Sequence, residues 1–186
     1  MIHNTCSRTM LLFFAILLLC GNSWAQDFYK LEKGKIHFKS DAPLELIEAA
    51  SNNLRGLINP RDNTFAFAVK LNTFQGFNSP LQREHFNENY MESKKYPEAT
   101  FSGRIIEDVD LSKPGKYTIR AKGKLNIHGV EQERIIKSEV TVGEGSIGIT
   151  SSFTVLLEEH EISIPKIVYQ KIAEEIEVQI EAALSK

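Results

Sequence analysis

The sequence predicts an all-β chain with one short helix, folded as an antiparallel barrel of about eight strands. Three observations lead there. Apolar and polar residues alternate with period two in segment after segment, which is the signature of strands with one buried face. Short turn-forming clusters separate these segments, so successive strands pair as hairpins. One stretch, residues 81–103, interrupts the alternation and reads as a helix followed by a polar turn. A long sheet with a single apolar face loses its exposed edges by closing on itself. At about eight strands the interior is either just filled by side chains or wide enough for one small ligand.

The elements follow in order. Residues 28–40 read as the first strand, with Tyr29 and Leu31, then Gly34, Ile36 and Phe38, on one face. Residues 43–53 are ambiguous: Leu44, Ile47 and Ala50 fit a helical face, yet Leu54, Gly56 and Ile58 alternate just beyond, so a bent segment running into a second strand is expected. Asn59-Pro60-Arg61-Asp62-Asn63 is a turn. Phe65, Phe67, Val69 and Leu71 share one face of the next strand, and Phe74 and Phe77 flank Gly76 in a loop. Ser79 as N-cap, Pro80 at the first helical position and Gln82 three residues after the cap mark a helix start. Phe86 and Tyr90, at i and i+4, share a face of that helix. Tyr96-Pro97 ends it and opens the strand carrying Phe101, Gly103 and Ile105. Tyr117, Ile119, Ala121, Gly123, Leu125 and Ile127 form the inward face of a long strand that turns at His128-Gly129 into residues 130–142. Residues 147–157 and 172–184 alternate again, on either side of the polar loop Glu158-Glu159-His160-Glu161. Gly103 and Gly123, on inward faces, leave room either for strand curvature or for a ligand.

Residues 1–25 stand apart. Arg8 precedes an apolar run over residues 10–20, and Ser23-Trp24-Ala25 offers small residues where a signal peptidase reads. A signal peptide cleaved near Ala25 is expected, leaving residues 26–186 as one exported domain, periplasmic or secreted. The run is too short for a membrane span. Lipid attachment through Cys20 is an alternative, although Leu19 stands where a small residue is normally required. Both cysteines, Cys6 and Cys20, fall in this leader, so the domain has no disulfide, no thiolate metal site and no cysteine nucleophile. The 22 basic and 24 acidic side chains are interspersed, giving a net charge of −2 and no basic block of the kind that nucleic-acid binding needs.

Two motifs resemble a known family. Glu84-His85-Phe86 through Asn89-Tyr90-Met91, followed by Lys95-Tyr96-Pro97-Glu98-Ala99-Thr100-Phe101, is similar to its helix and Lys-Tyr-Pro-x-x-x-Phe strand start. Gly123-Lys124-Leu125-Asn126-Ile127-His128-Gly129-Val130 is similar to its Gly-x-Leu-x-x-x-Gly-Val hairpin. With the leader, these identify the chain as a member of the YceI-like family over residues 28–184. The resemblance implies a lipocalin-like barrel in an exported bacterial protein, some members of which hold a polyisoprenoid chain. One departure is the compact Ser40-Asp41-Ala42-Pro43 turn, where many members carry a longer helical insertion near one mouth.

On this reading the residues expected to line an apolar ligand such as an isoprenoid are Phe38, Phe67, Phe86, Tyr90, Phe101, Tyr117, Leu125 and Phe153. Ordinary core packing accounts for the same aromatics, because each buries a large area. His85 lies near Glu84 and Glu88 but lacks a third metal ligand in register. His128 is expected to be structural, and His160 to sit in a solvated loop. No nucleophile elbow, phosphate loop or acid–base pair is present, so neither an enzyme nor a cofactor is expected. The expected function is non-enzymatic sequestration of a small apolar molecule. The alternative is a barrel filled by its own side chains that acts as an envelope or stress-response interaction protein, with an exposed patch at Phe74 and Phe77. The sequence leaves the oligomeric state open.

Overall fold

The computed structural model describes residues 28–186. The expected leader lies outside the described residues. Nine strands form one sheet: β1 Tyr29–Asp41, β2 Leu46–Ser51, β3 Leu54–Asn59, β4 Thr64–Lys70, β5 Glu98–Ile105, β6 Gly115–Ile127, β7 Val130–Gly143, β8 Ser146–Leu156 and β9 Glu175–Ser185. All pairings are antiparallel, and β1 against β9, from Lys30 opposite Ser185 to Lys39 opposite Glu177, closes the sheet into a barrel.

The ambiguous segment proves to be extended throughout. β2 and β3 both pair with β1, and in one register: Ile36 faces Ser51, while seven residues along, Tyr29 faces Ile58. They are one strand interrupted at Asn52-Asn53, which makes the barrel eight-stranded. The interruption has a partner on β1, where the register against β9 shifts between Leu31 and Lys33. Such an irregularity moves the inward set by one residue. This explains why Tyr29 and Leu31 are followed inward by Gly34, Ile36 and Phe38, and why Ala49 and Ser51 are followed by Leu54 and Ile58.

One end of the barrel is packed shut. Tyr29, Ile58, Phe65, Ile105, Leu111, Val142, Ile147 and Leu184 are buried in one cluster. Leu111, from the loop after β5, is fully buried, and its carbonyl accepts a hydrogen bond from the Tyr29 hydroxyl (3.4 Å). Asn63 Nδ2 donates to Val109 O (3.0 Å), tying the same loop to the β3–β4 turn.

Gly103 and Gly123 face each other across β5 and β6. A Cβ on Gly103 would collide with the Lys122 carbonyl, and one on Gly123 with the Ser102 carbonyl. Of the two roles open to these glycines, the geometry selects close strand approach and curvature: the space is taken by backbone, and the Phe101 ring packs over Gly123. Gly56 is covered in the same way by its cross-strand partner Phe67. Gly103→Val should therefore lower the unfolding free energy by ~1–3 kcal/mol, the usual cost of overpacking, at an unchanged denaturant slope in urea titrations.

Candidate functional site: an apolar chamber beneath the helix

The opposite end stays open because the wall is incomplete there. β4 pairs with β3 only as far as Leu54 opposite Val69, leaving the outer edge of β2 without a strand. The loop after β4 covers part of that edge, with Ala50 N donating to Gln75 O (2.8 Å) and Gln75 N to Ala50 O (2.9 Å). A short helix, α1 Pro80–His85, lies above it. Ser79 caps α1 as expected, its Oγ accepting from Gln82 N (3.1 Å). Gln82 reaches back one residue further than a capping box would, its Oε1 accepting from Asn78 N (2.9 Å).

After His85 the helix widens into one π turn, Phe86–Tyr90, closed by Met91 N donating to Phe86 O (2.9 Å). Single π turns of this kind recur at functional sites. The helix then stops at Glu92, whose φ is +43°, several residues before Tyr96-Pro97. The π turn keeps both Phe86 and Tyr90 on the barrel side, where they line a cavity of about 460 Å³. Phe86 stacks on Phe38 (centroids 5.4 Å apart, 15° between planes) and meets Phe77 at 5.1 Å and Phe74 at 5.8 Å. Phe74 is buried at 4% exposure and Phe77 packs inward, so no exposed patch forms at these two residues. Their loop folds back over the mouth, which sequence spacing alone does not reveal.

Deeper in the barrel a second space of about 110 Å³ adjoins the first, with Ile36, Val69, Ala99, Leu125 and Phe153 lining both. The chamber therefore extends from the helix to mid-barrel, despite the compact turn at residues 40–43. Its volume falls in the 300–1,000 Å³ range of small-molecule sites. Of the residues expected at a ligand, Phe38, Phe86 and Tyr90 line the outer space, Phe67 and Phe101 the inner one, and Leu125 and Phe153 both. Tyr117 lines neither. Its hydroxyl donates to Lys113 O (3.0 Å) near the closed end, because the inward face of β6 runs the whole length of the barrel and reaches the chamber only from Ile119 onward. Sequence reasoning missed Ile162, Val168 and Ile172, which come from the loop between β8 and β9 and also line the outer space. Ile162 and Val168 are irregularly spaced and carry no periodic signal, and Ile172, read as the start of the last alternating strand, lies in the loop because β9 begins only at Glu175.

Charged groups are confined to the mouth, while in the inner space Ser138 Oγ donates to Ser151 Oγ and Ser151 Oγ to Lys137 O (both 3.1 Å). Glu45 Oε1 accepts from Gln82 Nε2 (2.9 Å), and Ser40 Oγ accepts from Ala173 N (2.9 Å). The Tyr90 hydroxyl has no hydrogen-bond partner among the described residues, and burial pushes its phenol above the usual value. His85 lines the chamber, whereas Glu84 faces a separate outer groove, so the two diverge. Among the described residues, no group of three or more His, Cys, Asp or Glu side chains is placed to hold a metal ion.

The histidines of the β6–β7 turn and the β8–β9 loop form a seam at the chamber's flank. β7 and β8 pair only through Ser138–Gly143 and Ser146–Ser151, and splay apart toward the mouth. A single 3₁₀ turn, Glu158–His160, fills the gap. Arg134 donates to Glu159 Oε2 and to Thr154 O, both at 2.7 Å, and Gln132 Nε2 donates to Glu159 O (2.7 Å). His160 is fully buried rather than solvated, which corrects the sequence expectation: its Nδ1 donates to Val130 O (3.1 Å), and Nε2 has no partner among the described residues. A run of glutamates suggested a wet loop, but the splayed strands draw this one ring into their gap. His128 is structural as expected. It takes φ +54°, packs edge-on against Tyr96 (4.8 Å), and bridges Glu92 Oε2 (2.9 Å) to His160 O (3.2 Å).

With the geometry described, the comparisons with known proteins decide the family. The YceI-like domain model matches residues 31–184. The chain belongs to the YceI-like family. Its fold is shared with a polyisoprenoid binding domain from Saccharophagus degradans implicated in plant cell wall breakdown (TM-score 0.72, 15% identity, covering 84% of this chain and 97% of that one). It is also shared with Burkholderia cenocepacia BcnA (0.66, 14%, 81% and 95%) and with the Campylobacter jejuni YCEI protein (0.54, 17%, 69% and 77%). No curated protein matches the sequence.

Two outcomes test this description of the YceI-like site. A double-mutant cycle of Phe38→Leu and Phe86→Leu, read by urea unfolding, should return a coupling of ~0.5–1.5 kcal/mol for the stacked pair. Burial holds the His160 imidazole below its ordinary 6.5, so its contribution to stability is present above about pH 6.5 and is lost as the pH falls toward the folded value, because only the unfolded chain takes up the proton readily. Wild-type protein should lose stability more steeply than His160→Gln between about pH 6.5 and 5, by up to about 1.4 kcal/mol per pH unit; common carboxylate effects cancel in the difference.

Proposed function

We propose that this protein is an exported, non-enzymatic carrier that shields one apolar chain, an isoprenoid or related lipid, inside the barrel. One observation carries the reading: the chamber is walled mainly by apolar side chains from the helix down to Phe67 and Phe101, its charged groups stand at the mouth, and the serine hydroxyls of the inner wall are satisfied by Ser138 Oγ donating to Ser151 Oγ and Ser151 Oγ to Lys137 O. A hydrocarbon tail inserted there leaves water at ~0.8 kcal/mol per CH₂, while a polar end stays near Tyr90, His85 and Lys171. The relative from Saccharophagus degradans, described as a polyisoprenoid binding domain, supports the same ligand class. Residues 1–25 act as the signal peptide in this reading, and residues 26–186 as the carrier in the periplasm or outside the cell. Within the proposal, Phe38, Phe67, Phe86, Tyr90, Phe101, Leu125 and Phe153 contact the ligand, and Tyr117 holds the closed end.

The filled-barrel alternative requires an interior with no room for a chain of several carbons and an apolar patch at Phe74 and Phe77. The open volume of about 460 Å³ and the burial of Phe74 count against it.

Native mass spectrometry of protein purified from an exporting host should find an apolar molecule bound, and added ubiquinone or polyprenol should raise the melting temperature. Ala99→Phe, which places a ring where the two spaces meet, should abolish that rise while the protein still unfolds cooperatively. No bound lipid and no thermal shift with either lipid class would sink the proposal.

A further inference from the structure

The geometry points to a membrane-docking surface: the rim around the chamber mouth seats on an anionic lipid bilayer and sets the opening against the acyl layer. The inference deepens the carrier reading and rests on it. Three segments form the rim, and hydrogen bonds hold them together. Leu44 N donates to Gln170 O (2.9 Å), Gln82 Nε2 to Glu45 Oε1 (2.9 Å) and Asn78 Nδ2 to Leu46 O (2.8 Å). These segments present Leu44, Leu81, Ile167 and Tyr169 to solvent at 66%, 58%, 91% and 63% exposure. Leu81 also lines the chamber, as does Val168 between Ile167 and Tyr169, so the exposed rim and the apolar interior are continuous.

Two lysines beside the exposed apolar side chains are placed to meet an anionic surface. Lys166 and Lys171 bracket Ile167 and Tyr169, and neither has an ion pair among the described residues. Of the nearby acids, Asp41 pairs with Lys39 (3.1 Å) and Glu84 faces the outer groove, whereas Glu45, hydrogen-bonded to the neutral Gln82 amide, and the exposed Glu174 keep their charge. Exposed aliphatic side chains, a tyrosine and flanking lysines are the composition that settles at a bilayer interface.

Other occupants fit less well. A stable protein interface engages roughly 20–30 residues a side, and a rigid partner across the mouth would leave the chamber void beneath it, which fluid acyl chains would not. A two-fold dimer through this face would bring the Lys166 and Lys171 charges of both copies into one interface.

The test uses the full chain purified from an exporting host, with vesicles of phosphatidylglycerol and phosphatidylethanolamine or of phosphatidylcholine alone. The protein should float with the anionic vesicles and bind the zwitterionic ones at least fivefold more weakly. Leu44→Glu combined with Ile167→Glu should weaken vesicle binding at least tenfold, yet retain the melting-temperature rise with cyclodextrin-delivered geranylgeraniol. The inference is overturned if the wild type stays with the soluble fraction, if the double variant floats as the wild type does, or if light scattering shows a dimer that the same substitutions dissociate. Vesicle binding without any geranylgeraniol uptake by either chain would support docking and count against the carrier reading alone.

Discussion

Everything in this barrel depends on the pairing of its first strand with its last. β1 and β9 are separated by nearly the whole domain in sequence, yet they share an unbroken antiparallel run past a single register shift. Without that contact the sheet would have two open edges and an apolar face exposed along its length. With it, every inward side chain faces another across a lumen, and the lumen acquires two different ends. At one end large side chains and Leu111 meet and exclude solvent. At the other, the strands run out of partners before the wall is complete, and non-strand segments must finish it.

Those segments set the chemistry of the chamber. Two gaps occur toward the mouth, one beyond β2 and one where β7 and β8 splay, and each is filled differently. The first is covered by aromatic packing: Phe74, Phe77 and Phe86 converge on Phe38, which stands on β1 itself. The second is sealed by polar contacts through Arg134, Gln132 and His160, where the strands' own hydrogen bonds are missing. The aromatic cover is adaptable, since offset and edge-on arrangements of rings are both favourable. The polar seam is more constrained, because a buried donor left without its acceptor costs ~1–3 kcal/mol. In the proposed carrier, apolar traffic therefore passes on the helix side, with the His128–His160 side acting as a fixed wall.

Left-handed backbone marks the places where this wall is stitched. Glu92 and His128 both take positive φ and are joined directly by a hydrogen bond, and Glu161, which follows His160, does the same. Gly129, also at positive φ, leaves the space that the Tyr96 ring occupies. The end of the helical segment, the β6–β7 turn and the β8–β9 loop thus meet at one point. The motifs that mark the YceI-like family, Lys-Tyr-Pro near residue 96 and the hairpin at residues 123–130, are the sequence record of this junction.

Much of the architecture was legible in sequence because period-two alternation reports which face of a strand is buried. That signal placed Phe65, Phe67, Leu125 and Phe153 inward and predicted closure at about eight strands. The cap at Ser79 was legible for a local reason as well, since Ser, Pro and Gln act within one turn of helix. Other features carry no local signature. The single register of β2 and β3 depends on β1, the burial of His160 depends on a splay between distant strands, and the contribution of Ile162, Val168 and Ile172 depends on where a loop is laid down. The exclusion of Tyr117 from the chamber depends on how far along the barrel the open space extends. By itself, the sequence determined the fold class, the inward faces and the family, because local alternation and turn chemistry encode them. Only the tertiary structure decided that the barrel is hollow at one end, because a void is a property of how distant side chains fail to meet.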